Sequence, residues 1–148
     1  MPRANQDRYN PLGRVPRTIF AHGHEDGETE WLPIIGVGDT TIAYLLIPDN
    51  WNGLDKLYLW LLGSGASQQT YNITVDIATC DEAYNVHTQT VNGKAVNTVA
   101  GEYECVDLTT DFAAVLANLA TRDIIRVTVV YALGDDFAKL VGIELQET

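Results

Sequence analysis

The chain has 148 residues, of which 46% are hydrophobic, and it carries 9 Lys and Arg against 20 Asp and Glu for a net charge of −11. This length and apolar content predict one globular domain with a core that needs neither a metal nor a disulfide to fold. The acidic balance argues against nucleic acid and anionic membranes as the main partners, because both are bound by cationic surfaces. No cofactor is expected.

The sequence also argues against a membrane span, a secretory signal and a disulfide scaffold. No stretch approaches the roughly 20 apolar residues of a membrane span, and the charged first 17 residues are followed by no apolar segment of the kind a secretory signal has. Cys80 and Cys105 are too few for a disulfide scaffold, and their spacing fits no zinc or redox motif. A single bond between them and two free thiols both stay open. We therefore expect the chain to act in a cytoplasm or in a particle assembled there.

The charge is divided unevenly along the chain. Residues 1–24 carry +3, which places −14 on the remainder. Three prolines and two glycines in this segment predict an extended basic arm and hinge over residues 1–30, followed by one domain over residues 31–148. The arm is suited to pack on an acidic neighbouring copy. The alternatives are a flexible terminus and an arm that reaches nucleic acid. The residues expected to bind a partner are Arg8, Leu12, Arg14, Val15, Arg17, Ile19 and Phe20.

Alternating apolar and polar residues dominate the rest of the chain. Residues 73–77, 125–131 and 139–145 alternate with the period of half-buried strands. The apolar runs 41–47 and 57–62 predict central strands that are covered on both faces. Weaker strands are predicted at residues 31–37, 83–91, 95–99 and 102–108. Eight or nine short strands separated by turns predict an antiparallel sandwich or barrel.

Two local signals complete the predicted elements. Asn92-Gly93 between two strand-like segments predicts a hairpin turn, because both residues tolerate positive φ. Apolar residues at helical spacing within residues 110–119 predict a helix of two to three turns, with Thr110 or Asp111 as its N-cap.

The residue types that carry catalysis form no convincing site. The segment from His22 to Glu28 holds two imidazoles and three carboxylates in all. Their spacing matches no metal-binding loop and favours a polar hinge. The serines in residues 63–67 fit neither a nucleophile elbow nor a phosphate loop. Only His87 lies outside the hinge to serve a triad, and it stands on a predicted polar strand face. We expect no catalytic residue and no enzyme activity.

Exposed aromatic rings on a β-sandwich would instead suggest sugar binding. The candidate rings are Trp31, Trp51 and Trp60, with Tyr71, Tyr84 and Tyr103. Trp60 is predicted to lie in the core and Trp51 to anchor a turn, which leaves Trp31 as the surface candidate. A carbohydrate-binding module would need an exposed aromatic pair on one face.

Motifs spread over residues 31–147 carry a resemblance to a known family. They are Ile47 to Gly53, Leu57 to Trp60, Cys80 to Asn85, Asp107 to Thr109, the short helix, Gly134 to Asp136 and Val141 to Leu145. With its turn before a central strand and its helical crossover before the last two strands, the chain resembles the single jelly-roll virion structural proteins of tailed phages. The resemblance implies an all-β, antiparallel jelly-roll β-sandwich of about eight strands with one short helix; the N-terminal arm lies outside it.

The resemblance also implies a non-enzymatic role, commonly as a homotrimer. We expect a capsid decoration protein that cements a virion by binding the major capsid protein, or another virion protein, and its own copies. It would be located on the capsid surface and assembled in the host cytoplasm. The alternatives are a tail fibre or spike module, a carbohydrate-binding β-sandwich, or a small jelly-roll coat protein.

Overall fold

The computed structural model describes residues 17–22, 34–35, 37–134 and 138–148. These residues form strands in chain order with one short helix, α1 (Ala113–Leu116), between the seventh and eighth. The strands are β1 (Thr18–His22), β2 (Ile34–Ile35), β3 (Thr40–Leu46), β4 (Leu54–Gly63), β5 (Ser67–Ala78), β6 (His87–Thr98), β7 (Tyr103–Asp107), β8 (Ile124–Leu133) and β9 (Ala138–Glu147).

The strands pair in two antiparallel sheets. Sheet A has the order β1-β9-β4-β7, with β2 on the same edge of β9 as β1, and sheet B has the order β3-β8-β5-β6. The predicted all-β, antiparallel sandwich with one short helix is confirmed. Most consecutive strands alternate between the sheets, a connectivity compatible with the predicted jelly roll.

The core lies between the two sheets and is built by strict alternation. On β4 the side chains of Leu57, Leu59 and Leu61 are fully buried, whereas the residues between them face outward. Tyr71 and Tyr131 meet edge-to-face across β5 and β8, with ring centroids 5.2 Å apart. Burial raises the pKa of Tyr71 well above its usual range. This aromatic contact ties the middle strands of sheet B together.

The first strand belongs to the sandwich and not to a detached arm. Residues Thr18–His22 pair with Gly142–Gln146 of β9, and Ala21 is buried. A Cβ at Gly142 would lie 1.9 Å from the Ala21 carbonyl oxygen, so only glycine allows β1 to approach β9 this closely. Strand β1 is therefore part of sheet A, although its residues fall within the segment that charge and composition predict as arm.

The hairpin expected at Asn92-Gly93 is replaced by a β-bulge. Strand β6 runs through both residues, and its pairing with β5 shifts between Tyr71 and Ile73. Gly93 has φ +72°, and its N–H donates to Oδ1 of Asn72 at 3.0 Å. A glycine-containing bulge needs the same positive φ as a hairpin turn, which explains the wrong prediction.

Two further predictions need correction. Strand β3, expected in the centre of a sheet, is an edge strand on which Tyr44 and Leu46 are exposed. The helix is a single turn, and its N-cap is Phe112 with no side-chain cap, in place of Thr110 or Asp111. Among the described residues, no helix has the length and apolar character that crossing a membrane would require.

Candidate functional site

The two outer faces of the sandwich differ in chemistry. The outer face of sheet B carries short polar side chains along most of its length: Thr70, Asn72, Thr74, Thr88, Thr90 and Thr128. The hydroxyls of Thr74 and Thr90 lie 2.8 Å apart. The outer face of sheet A carries instead Phe20, Tyr58, Trp60, Leu62 and Tyr103. A solvated face of an antiparallel sheet is normally polar, so the aromatic face of sheet A is the exception.

Trp60 lies near the middle of this aromatic face. The prediction that it belongs to the core is wrong, because β4 points Leu59 and Leu61 inward and Trp60 outward. Its indole Nε1–H donates to Oε1 of Glu144 on β9 at 3.1 Å. The residue opposite Trp60 on β9 is Gly142, which has no side chain to cover the ring. The ring edge is thus fixed while part of its surface stays accessible.

The rim of the aromatic face is exposed. Tyr103 on the edge strand β7 is 60% exposed, and Phe20 on the opposite edge strand β1 is 40% exposed. Phe20 packs edge-to-face on His22 with ring centroids 5.5 Å apart. Aromatic side chains therefore reach both edges of sheet A.

An ion pair lies at one corner of the same face. Nζ of Lys56 lies 3.2 Å from Oδ2 of Asp107, and both side chains are largely exposed. Hydrogen bonding to Thr109 and to Lys56 lowers the pKa of Asp107 below its usual value, the Thr109 hydroxyl contributing most. The hydrogen bond to Asp107 raises the pKa of Lys56. Both shifts favour the charged forms at neutral pH.

Cys105 is the thiol of this face, opposite Trp60 on β7. It is a free, exposed cysteine. Its pKa is raised above the usual value, first because neighbouring side chains shield the sulfur from water and then because Glu144 and Asp107 place negative charge nearby. The other cysteine, Cys80, lies on the opposite side of the sandwich. It is also free and exposed, so the two cysteines form no disulfide and neither is buried.

A groove opens at one end of sheet B. It has a volume of about 570 Å³ and is lined by residues of β3, β5, β8 and the loop that joins β5 to β6, among them Leu46, Asp76, Cys80, Tyr84, Ile124 and Arg126. Tyr44, which lies opposite Arg126 on β3, is 62% exposed beside it. The groove is the second place where exposed aromatic side chains gather.

A charged pair forms the groove floor. Asp76 and Arg126 are neighbours across β5 and β8, and Nε and Nη2 of Arg126 donate to the same oxygen, Oδ2 of Asp76, at 3.1 and 2.6 Å. The Asp76 side chain is only 5% exposed. The ring of Tyr84 lies against the guanidinium, with its centroid 4.4 Å from Cζ of Arg126. Stacking and ion pairing together fix the guanidinium plane.

The loop over residues 79–86 that carries Tyr84 is held by its own side chains. Oε2 of Glu82 accepts from the backbone N–H of Thr79 at 3.1 Å, and its Oε1 lies 3.3 Å from Nε2 of His87. Val86 donates its N–H to the Ala83 carbonyl at 3.2 Å. His87, the residue considered for a triad, is thus a loop anchor.

Of the residues predicted to bind a partner, three lie in described positions. Arg17 contacts Glu147 of its own chain, and Ile19 packs against the core. Phe20 faces outward on sheet A. Arg8, Leu12, Arg14 and Val15 lie outside the described residues.

The remaining predictions about sites have mixed outcomes. Trp31 and most of the His22-to-Glu28 hinge also lie outside the described residues. Within the described part of the chain, His, Cys, Asp and Glu side chains form no group that could hold a metal ion. Trp51 is buried beside a turn, as predicted. Of the candidate rings Tyr71, Tyr84 and Tyr103, the last two are exposed and Tyr71 is buried in the core. The outward phase of β7 is the signal that distinguishes Tyr103 from a core tyrosine.

Comparison with known proteins leaves the chain without an assigned family. No family model and no curated protein matches it. A family two carbohydrate esterase from Cellvibrio japonicus is 15% identical with a TM-score of 0.39, over 90% of this chain and 34% of its own, so this chain spans about a third of that protein. TmCBM61, solved in complex with β-1,4-galactotriose, is 12% identical with a TM-score of 0.40, over 97% and 93% of the two chains.

A third match is dimeric latent PorU from Porphyromonas gingivalis, which is 10% identical with a TM-score of 0.39 over 89% of this chain and 12% of its own. At such low identity and TM-score these matches carry no argument about function.

Proposed function

We propose that the chain is a non-enzymatic structural protein of a virion, which decorates a capsid by docking the outer face of sheet A on another virion protein and on its own copies. The observation that carries the proposal is the contrast between the two faces. Sheet A carries the half-buried Trp60 and the exposed Tyr103 on its outer face, whereas the middle of the outer face of sheet B carries threonines. The exposed apolar side chains Tyr44, Leu46 and Ile124 of sheet B lie at its groove end. Protein interfaces are enriched in aromatic side chains and in apolar patches of this kind.

The size of the face suits an interface. Strands β4 and β9 have ten residues each, and the edge strands β1 and β7 have five each. With strands spaced by about 4.8 Å and a rise of about 3.3 Å per residue, the four strands cover roughly 480 Å². A specific protein interface buries about 800 Å² on each partner. Sheet A would supply most of that area, and the N-terminal arm is available to supply the rest.

The position of Arg17 supports the same side of the molecule. Arg17 lies beside Glu147, and the strand that follows it forms an edge of sheet A. The sequence before Arg17 contains three arginines and one acidic residue. A basic segment joined to the chain at this edge can reach an acidic neighbour, which includes a second copy of this chain.

Self-association tests the docking face. We expect sedimentation velocity of the full chain at micromolar concentration to show a homotrimer. Tyr103→Asp places a charge on the exposed rim of sheet A and should shift the protein to monomer. Tyr84→Asp is the matched control, because Tyr84 is equally exposed, at 61% against 60%, but lies on the opposite side of the sandwich. A monomeric wild-type protein, or equal effects of the two substitutions, would contradict the docking face.

Location tests the role in a virion. Immunogold labelling of native particles from the source should place copies on a capsid shell. Label along a tail fibre would favour the fibre or spike alternative, and absence of label from every particle would contradict a virion role.

A further inference from the structure

The groove on sheet B has the dimensions of a small-molecule site. Its volume of about 570 Å³ falls within the 300–1,000 Å³ that is common for ligand pockets. It lies on the face opposite to the aromatic face of sheet A, so docking through sheet A would leave it open. It is therefore independent of the interface proposed above.

The floor of the groove carries a charged pair that the stability of sheet B does not require. Asp76 is almost fully buried, and an Asp–Arg pair in such a place is expensive to desolvate. The adjacent row of the same sheet carries Thr74 and Thr128 at the equivalent positions, which shows that short neutral side chains fit there. Both Arg126 contacts reach the same Asp76 oxygen through Nε and Nη2, so Nη1 takes no part in the pair. The pair can thus present fixed donors and an acceptor to a ligand.

The walls of the groove are apolar and aromatic. Tyr84 is 61% exposed with one ring face against Arg126. Leu46 and Ile124 also line the groove and are 58% and 50% exposed. Tyr44 adds a second exposed ring next to Arg126. A ligand that fits must combine apolar faces with hydrogen-bonding groups at its edges.

The charges of the groove balance. Its lining contains Asp76 and Glu82 against Arg122 and Arg126. Each carboxylate already has a cationic or hydrogen-bonding partner in the same chain: Asp76 in Arg126 and Glu82 in the Thr79 N–H. A phosphate or a polyanion would meet no surplus positive charge here. The ligand should therefore be neutral.

We infer that this groove binds a neutral oligosaccharide. A pyranose ring has one face of C–H groups, which can stack on Tyr84 or Tyr44, and a rim of hydroxyls, which can bond to Arg126 and Asp76. A decoration protein docked through sheet A would then display a saccharide-binding groove on its outer side.

The test is binding of the full chain to an array that holds neutral oligosaccharides of glucose, galactose, mannose and N-acetylglucosamine together with sialylated ones, followed by calorimetry with the oligosaccharides that bind. Tyr84→Ala should weaken the affinity about tenfold, as loss of a stacking ring does. Tyr84→Phe keeps the ring and should bind within about threefold of wild type. Tyr103→Ala, an equally exposed tyrosine on sheet A, should bind like wild type.

A second readout uses the thiol in the groove. A bound oligosaccharide should slow alkylation of Cys80, which lines the groove, and leave Cys105 on sheet A unaffected. The inference is overturned if no neutral oligosaccharide binds, if only sialylated ones do, or if Tyr103→Ala and Tyr84→Ala weaken binding equally. It is also overturned if Tyr84→Ala leaves saccharide binding intact and abolishes self-association, which would make the groove a protein interface.

Discussion

Arg17 and Glu147 join the first and last strands of the sandwich. The backbone N–H of Glu147 donates to the Arg17 carbonyl at 2.7 Å, and Nε of Arg17 lies 2.8 Å from Oε2 of Glu147. The Glu147 carboxylate is buried and also accepts from the Asn52 N–H. Arg17 in addition lies over the Trp51 ring at 5.7 Å.

Removal of this cation should be costly. Arg17→Gln removes a cation that contacts the buried Glu147 carboxylate, and we expect a loss of about 1–3 kcal/mol in the free energy of unfolding, moderated because Arg17 is itself a third exposed. Arg122→Gln is the control, since Arg122 pairs with Asp49 where both side chains are 72% exposed, and it should change stability by less than about 0.5 kcal/mol. Urea unfolding followed by tryptophan fluorescence measures both. Equal losses would contradict the importance of the buried pair.

The approach of β1 to β9 depends on a missing side chain. Gly142→Ala should displace β1, because the new methyl group would collide with the Ala21 carbonyl, and the cost should be about 1–3 kcal/mol. Hydrogen exchange of the amides in residues 18–22 should accelerate. Gly38→Ala, where nothing lies within 4 Å of the added Cβ, should leave that exchange unchanged. Unchanged protection of residues 18–22 in Gly142→Ala would show that β1 is not held as described.

The Lys56–Asp107 pair predicts a particular pH dependence. The pKa of Asp107 is lowered in the folded protein, so its contribution to stability is fully present above its unfolded pKa of about 3.9 and is lost as pH falls through the lower folded value. Lys56, whose pKa is raised, contributes fully below its unfolded value and loses that contribution as pH rises through the folded one.

Asp107→Asn should therefore lower the midpoint of thermal unfolding slightly at pH 7, by less than Arg17→Gln does, and the difference should shrink as pH falls through the lowered pKa of Asp107. A difference from wild type that persists undiminished in acid would show that Asp107 acts through packing and not through its charge.

Cys105 should react slowly with alkylating agents. Shielding and the nearby negative charges raise its pKa, so less thiolate is present at pH 8 than for N-acetylcysteine. Asp107→Asn removes one of those charges and should accelerate the reaction. Mass spectrometry of the Cys105 peptide after treatment with N-ethylmaleimide gives the rate. A rate equal to that of the free thiol, or a slower rate in Asp107→Asn, would contradict this description of the face.

Local patterns predicted much of the fold. Alternation placed β5, β8 and β9 correctly, because one face of each is buried and the period of a strand is visible in a few residues. The Asn92-Gly93 error arose because a bulge and a turn share one backbone requirement. The edge position of β3 was missed because an apolar run predicts burial, whereas Tyr44 and Leu46 are exposed beside the groove.

The candidate sites were harder to predict than the strands. Asp76, Tyr84 and Arg126 come from separate segments, and only the register of β5 against β8 brings the charged pair together. The leucines beside Trp60 predict a core position, whereas the phase of the alternation along β4 places its ring on the outer face. Tyrosines at outward strand positions, such as Tyr103, are visible in the sequence once the phase of each strand is fixed.

The docking of sheet A is tested most directly by the two cysteines in the native assembly. Cys105 marks the aromatic face and Cys80 marks the groove on the opposite side. Native particles and the free chain would be treated with N-ethylmaleimide, and each peptide quantified by mass spectrometry. We predict that assembly slows the alkylation of Cys105 at least tenfold, which corresponds to a free-energy difference of about 1.4 kcal/mol. Cys80 should be alkylated at the same rate in the assembly as in the free chain. Alkylation of Cys105 at its free-chain rate in the assembly would contradict the proposed docking face.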